Sequence, residues 1–177
     1  MRTLNADDRR RRIASAAYAL IENEVRPFLA AGGRLWSKGS RGYPTRLRRM
    51  LEPLESRTPT FATRDAMLLA PRRRQVEHVL PLKRIIVEIV DPGQADPRAN
   101  VSPAPIAGGP ATSPEHLLEI FDRLFSTCWV TPEEHARLNR GSRSSQWDAP
   151  EGDGWERYRL AGVTAYPLTV DGTLLTP

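Results

Sequence analysis

Cysteine is almost absent from this chain of 177 residues, with Cys128 as its single instance. No internal disulfide can form and no paired-cysteine zinc site can be built, so a reducing compartment, the cytoplasm, is the expected location. Long apolar runs are missing as well. Nothing approaches the roughly 20 consecutive apolar residues that span a bilayer. The opening MRTLNADDRRRRIASAAYAL has charges but no apolar leader core, and neither export nor a membrane partner is expected. No internal repeat is visible, and lysine is scarce, since 24 of the 26 basic residues are arginine. A chain of this length suits one domain over 1–177 with a core that needs no crosslinks.

What is present is a charge asymmetry. Residues 1–84 carry 19 Lys/Arg against 8 Asp/Glu, net +11, whereas residues 85–177 carry 7 against 13, net −6. A basic front half is the electrostatic footprint of a polyanion-facing surface, which makes nucleic acid a candidate partner. The same arginines could equally do no more than solvate helices.

The apolar spacing predicts a mainly helical α+β fold. Residues 1–70 form a basic helical part. Ile13, Ala17, Leu20, Ile21, Val25, Phe28 and Leu29 recur at helical spacing, with Asn5 or Asp7 as cap, Pro27 as an end or a kink, and Gly32-Gly33 as the stop. The glycine-rich basic loop 37–42 leads into a helix from Pro44 with Leu47, Met50, Leu51 and Leu54 on one face and Arg46, Arg48 and Arg49 on the other. A short helix is expected over 63–70. Within PRRRQVEHVL, Val76, His78 and Leu80 alternate with Glu77 and Val79 as in a strand. Pro81 then opens a helix whose buried face is Leu82, Ile85, Ile86, Ile89 and Val90.

Residues 91–113, rich in proline and glycine, read as a loop. Pro114 to Ser126 is again helical, TCWV at 127–130 is β-favouring, and TPEEHARLN carries a capping box of Thr131 and Glu134 with Pro132 at the first helical position. The stretch 153–177 ends the chain as the short helix GWERYRLAG, stopped by Gly162, and a hairpin around Asp171-Gly172.

Three histidines can do chemistry: His78, His116 and His135. His116 lies in a first helical turn, where a structural or solvated role suffices. His135 and Asn139 are four apart on the Thr131 helix, so their side chains leave one face a turn apart and can share a divalent cation. Should the strand bearing Glu77 and His78 lie beside TCWV, either residue could complete a site in front of that helix. The bland alternatives are a core histidine with Glu77 paired to Arg72, Arg73 or Arg74, and a solvent-facing stripe for His135 and Asn139.

EHVLP followed by WVTPEEHARLN resembles the two halves of the ββα-metal finger of HNH-type nucleases, and with GWERYRLAGV it resembles HNH-like proteins of bacteria. The resemblance implies a finger split between 75–90 and 114–139. It also implies His78 as general base, with Glu77, His135 and Asn139 as ligands of a divalent metal, Mg²⁺ or Mn²⁺ ahead of Zn²⁺. The implied activity is hydrolysis of phosphodiester bonds in nucleic acid, DNA ahead of RNA. Lys38, Arg41, Arg46, Arg48, Arg49, Arg72, Arg73 and Arg74 are the expected phosphate contacts, with Trp36 or Tyr43 available for stacking. The chain departs from the family's pattern in its long insertion between the halves, in lacking structural cysteine pairs, and in offering only Asn100 for the intervening Asn.

Two other readings compete. In one, a degenerate HNH-like scaffold binds nucleic acid or an acidic protein without turnover. In the other, the N-terminal helix docks a protein partner.

Overall fold

The computed structural model describes residues 5–37, 39–55, 58–91, 109–140 and 154–175. Most of the 91–113 loop, Lys38, Asn100 and Trp147 therefore lie outside the described residues. The fold is mainly helical α+β with one small mixed sheet. Among the described residues no helix is long and apolar enough to cross a membrane.

The first helix, α1 (Ala6–Leu20), is capped by Asn5, whose side chain accepts from the Asp8 amide. It passes through a π-helical turn, Ile21–Val25, into α2 (Arg26–Ala30). Pro27 thus does not end the helix but stands in the first turn of α2. The wider turn just before it, where the Arg26 amide reaches back to Ile21 O, takes up the missing donor and the bulk of the ring. The apolar face of α1, with Ala14, Ala17 and Leu20 buried, packs on helices of the same chain. That face is already covered within the chain.

Helix α3 (Tyr43–Leu51) follows Gly42, whose φ of 72° needs a residue without Cβ. Tyr43 is buried against Phe28, so it cannot stack on a ligand. Strand β1 (Phe61–Thr63), unforeseen because three residues carry no readable alternation, runs into α4 (Arg64–Leu68), capped by Thr63. Strand β2 (Gln75–His78) leads to Pro81 and α5 (Leu82–Val90).

Along β2 the polar residue faces inward: Val76 is 51% exposed, whereas Glu77 is 8% exposed, because Glu77 meets Arg157 and His135 there. Helix α5 is buried on every side, including an Arg84–Glu88 ion pair at 2.5 Å, so its apolar stripe understated its burial.

Helix α6 (Pro114–Leu124), strand β3 (Thr127–Val130), helix α7 (Pro132–Leu138), helix α8 (Glu156–Ala161) and strand β4 (Ala165–Pro167) complete the chain. Helix α8 stops at Gly162, whose φ of 64° closes the helix in the left-handed region. The terminal hairpin is minimal, a Leu168–Leu174 bridge around the Asp171-Gly172 turn, while β4 itself joins the sheet.

The sheet order is β2-β3-β1-β4. β2 pairs antiparallel with β3, placing Glu77 opposite Cys128, and β1 pairs parallel with β3. One apolar cluster lies among α1, α3, α5 and α6. A second, with Val79, Cys128, Val130, Leu138, Tyr158 and Ala161, lies between the sheet and helices α7 and α8. Trp155 packs edge-on against Phe61 and Tyr158 is buried, so both pin α8 to the sheet.

Candidate metal-binding and nucleic-acid site

Strands β2 and β3 form an antiparallel pair, and β3 passes directly into α7. The passage is rigid for a local reason. Thr131 Oγ1 accepts from the Glu134 amide at 3.1 Å, and Glu134 Oε2 accepts from the Thr131 amide at 2.8 Å. The same carboxylate oxygen accepts from Thr63 Oγ1 at 2.8 Å, while that hydroxyl accepts from the Ala66 amide. A capping box legible in the sequence therefore also ties α7 to β1 and α4.

This frame aims α7 at the Glu77 side chain. Glu77 Oε2 stands 2.5 Å from His135 Nδ1 and accepts from Asn139 Nδ2 at 3.1 Å. Asn139 Nδ2 and His135 Nδ1 are 3.3 Å apart. The structure thus brings together three of the four residues expected at the site, from a strand and from a helix that follows a long insertion.

The fourth is placed differently. Neighbouring residues on a strand point to opposite faces, and His78 turns toward Glu55, with Nε2 3.5 Å from Oε1, and toward the Phe125 ring. It is not a member of the Glu77 cluster. It does line, with Glu77, Asn139 and Arg157, a cavity of about 380 Å³ whose walls also include Trp36, Arg48 and Lys83.

Arg157 was missed from the sequence. It is 2% exposed, and its Nη2 donates to Glu77 Oε1 at 2.6 Å and to the His78 carbonyl, while Nε donates to Val79 O at 3.4 Å. A buried guanidinium with three acceptors along β2 locks both the strand end and the carboxylate rotamer. The available signal was a basic residue beside Tyr158 on a face that must pack, within WERYRL.

Among the described residues no group of three His, Cys, Asp or Glu side chains converges to hold a metal. The third donor here is an amide. Ligands about 2.1 Å from one Mg²⁺ and at right angles to each other lie about 3 Å apart, and the three separations of 2.5, 3.1 and 3.3 Å bracket that edge. A carboxylate and an imidazole stand ready as donors, whereas the Asn139 amide, whose Nδ2 donates to Glu77 Oε2 at 3.1 Å and to the His135 carbonyl at 3.0 Å, would have to give up both bonds to turn its oxygen toward a hard divalent ion. The His135 side chain is 42% exposed, which leaves solvent access. Glu77 would meet such an ion through one oxygen only, because Arg157 holds the other.

The arginines divide. Arg46 is held by Glu24 through two contacts at 2.7 and 3.1 Å, and this bond raises the guanidinium pKa as it lowers that of Glu24. Arg74 stacks on Trp129, 4.9 Å from the ring centroid, and donates to Leu69 O and Met67 O. Arg74 serves the fold first, Arg46 remains exposed within its pair, and Glu77 pairs with none of Arg72, Arg73 or Arg74 but with Arg157. Arg48 shares an exposed pair with Glu52, and Arg41, Arg49, Arg72 and Arg73 are exposed. His116 Nδ1 takes a hydrogen bond from the Thr112 amide, a local structural role. Comparison with protein-family models, curated proteins and solved structures found no match.

Proposed function

We propose that this protein is a metal-dependent phosphodiester hydrolase of HNH type acting on nucleic acid, DNA ahead of RNA. The observation that carries the reading is the convergence of Glu77 Oε2, His135 Nδ1 and Asn139 Nδ2 within 3.3 Å of one another, on an antiparallel strand pair followed by a helix. That succession of elements is the one the resemblance implies, and the long insertion leaves it intact.

In this reading Glu77, His135 and Asn139 hold a divalent cation, Mg²⁺ or Mn²⁺ ahead of Zn²⁺. Such an ion supplies Lewis-acid stabilisation of the charge that develops on phosphoryl and leaving oxygens. Arg157 keeps the Glu77 carboxylate in one orientation. His78, with Nε2 directed at Glu55, keeps Nδ1 for accepting a proton from water as general base. Arg48 and Lys83, in the wall of the same cavity, meet the phosphate charge.

The Arg157–Glu77 pair favours a second reading, a non-catalytic nucleic-acid-binding scaffold. A guanidinium already neutralises the carboxylate and lowers its attraction for a cation. Calorimetric titration with Mn²⁺ and Mg²⁺ separates the two. The hydrolase reading expects binding by the wild type and its loss in the His135→Ala, Asn139→Ala double variant. Equal heats in both proteins would remove the metal from this helix and leave the scaffold.

A further inference from the structure

We infer that the cavity beside Glu77 receives one unpaired nucleotide, so that the substrate class is single-stranded nucleic acid. This rests on the nucleic-acid reading of the site and narrows it. The cavity is about 380 Å³, the size of a small-ligand pocket and far too small for a duplex to enter. Its apolar wall comes from Trp36, Pro44, Leu82 and Ile86, and its cations are Arg48 on α3, paired at the surface with Glu52, Lys83 on α5, and Arg157, held by Glu77.

Trp36 is half-buried against the apolar cluster, and the Lys83 ammonium lies over its ring, 4.7 Å from the centroid. In the inferred complex the base replaces that ammonium on the indole face, and the phosphate takes up the released charge. A base reaches such a wall only when it is out of its stack. In a duplex that displacement costs a few kcal/mol, and in a single strand it costs far less.

The cavity is continuous with the candidate metal ligands, because Glu77 and Asn139 belong to its lining. A nucleotide seated there, its phosphate drawn by Arg48 and Lys83, brings an adjoining backbone linkage beside the three donors. Duplex-reading surfaces are built otherwise, with a helix or ribbon protruding into a groove. This surface is concave.

The test is fluorescence anisotropy with a labelled 12-nucleotide oligomer as single-stranded DNA, single-stranded RNA and blunt duplex DNA. The full chain is used, in EDTA at fixed salt. We expect single strands to bind at least tenfold more tightly than the duplex. Trp36→Ala is expected to weaken single-strand binding at least tenfold and duplex binding less than twofold, with Trp36→Phe restoring most of the loss.

Should Trp36→Ala not melt cooperatively, Lys83→Gln and Trp36→Phe carry the test. Lys83→Gln is then expected to weaken single-strand binding at least fivefold. Equal or tighter duplex binding, no binding of either form, or single-strand affinity indifferent to both positions overturns the inference. Wild-type cleavage with Mn²⁺ is scored separately: tight single-strand binding without cleavage sinks the hydrolase reading alone, and cleavage of duplex without strand preference sinks this inference alone.

Discussion

Arg157 Nη2 lies 2.6 Å from Glu77 Oε1, joining residues 80 apart in sequence, and both side chains are at least nine-tenths buried. The second oxygen of the same carboxylate faces His135 and Asn139. One acid therefore serves both as the anchor of α8 on β2 and as the centre of the candidate site.

Removing the guanidinium leaves a buried carboxylate with its charge uncompensated. Arg157→Ala is expected to lower stability by about 3–5 kcal/mol, and Arg157→Lys, which keeps the charge without the fork, by less. Urea unfolding measures both. A loss for Arg157→Ala no larger than the roughly 1 kcal/mol of an exposed pair would show that the contact contributes little.

His78 stands outside the metal-ligand cluster but inside the cavity wall. His78→Ala should therefore retain the heat of Mn²⁺ binding while cleavage drops by roughly 10²- to 10⁴-fold, the usual contribution of a positioned base. Full cleavage by this variant would exclude His78 as the base. Loss of metal binding would place it among the ligands instead.

Glu134 satisfies the Thr131 amide and Thr63 Oγ1 together from a buried position. Glu134→Ala should cost about 1–3 kcal/mol, since a cap and a buried acceptor are lost at once. Glu134→Gln, with one carbonyl oxygen left to accept, should cost less. Thermal unfolding distinguishes them, and indifference to Glu134→Ala would mean that α7 is held by its apolar contacts alone.

Burial raises the Cys128 thiol to about 12 from an ordinary 9.0 and pushes the Tyr158 hydroxyl upward as well. Both groups hold their protons longer in the folded chain than in the unfolded one. The Cys128 contribution to stability is complete below about pH 9 and is lost as pH climbs toward about 12, and that of Tyr158 starts to fall only above about pH 10. Urea midpoints taken from neutral to alkaline pH should fall across that window, and Cys128→Ala should flatten the decline. A midpoint independent of pH there would contradict the burial of both groups. The native thiol should also resist alkylation at about pH 8 until urea exposes it.

Much of the local structure was legible because its causes are local. The Thr131 capping box, the Asn5 cap, the helix opened by Pro81 and the stop at Gly162 each depend on neighbours within a turn. The one-turn spacing of His135 and Asn139 is of the same kind: helix geometry alone places both on one face. Strand β1 escaped because three residues cannot display a period, and the π-turn before Pro27 escaped because several helical accommodations of proline are sterically open.

The sequence by itself determined the mainly helical character, the strand-to-helix step at Thr131 and the candidate identity of Glu77, His78, His135 and Asn139. Only the tertiary structure decided which face of β2 is buried. Hydrophobicity favoured Val76 inward, but Arg157, His135 and Asn139 together gather on Glu77, and a carboxylate so paired outweighs the burial of one valine. Tertiary structure also separated Glu77 from His78 onto different partners, paired Arg46 with Glu24, stacked Arg74 on Trp129, and recruited Arg157 from α8. Those outcomes depend on charges that meet across long stretches of chain, and no local spacing encodes such meetings.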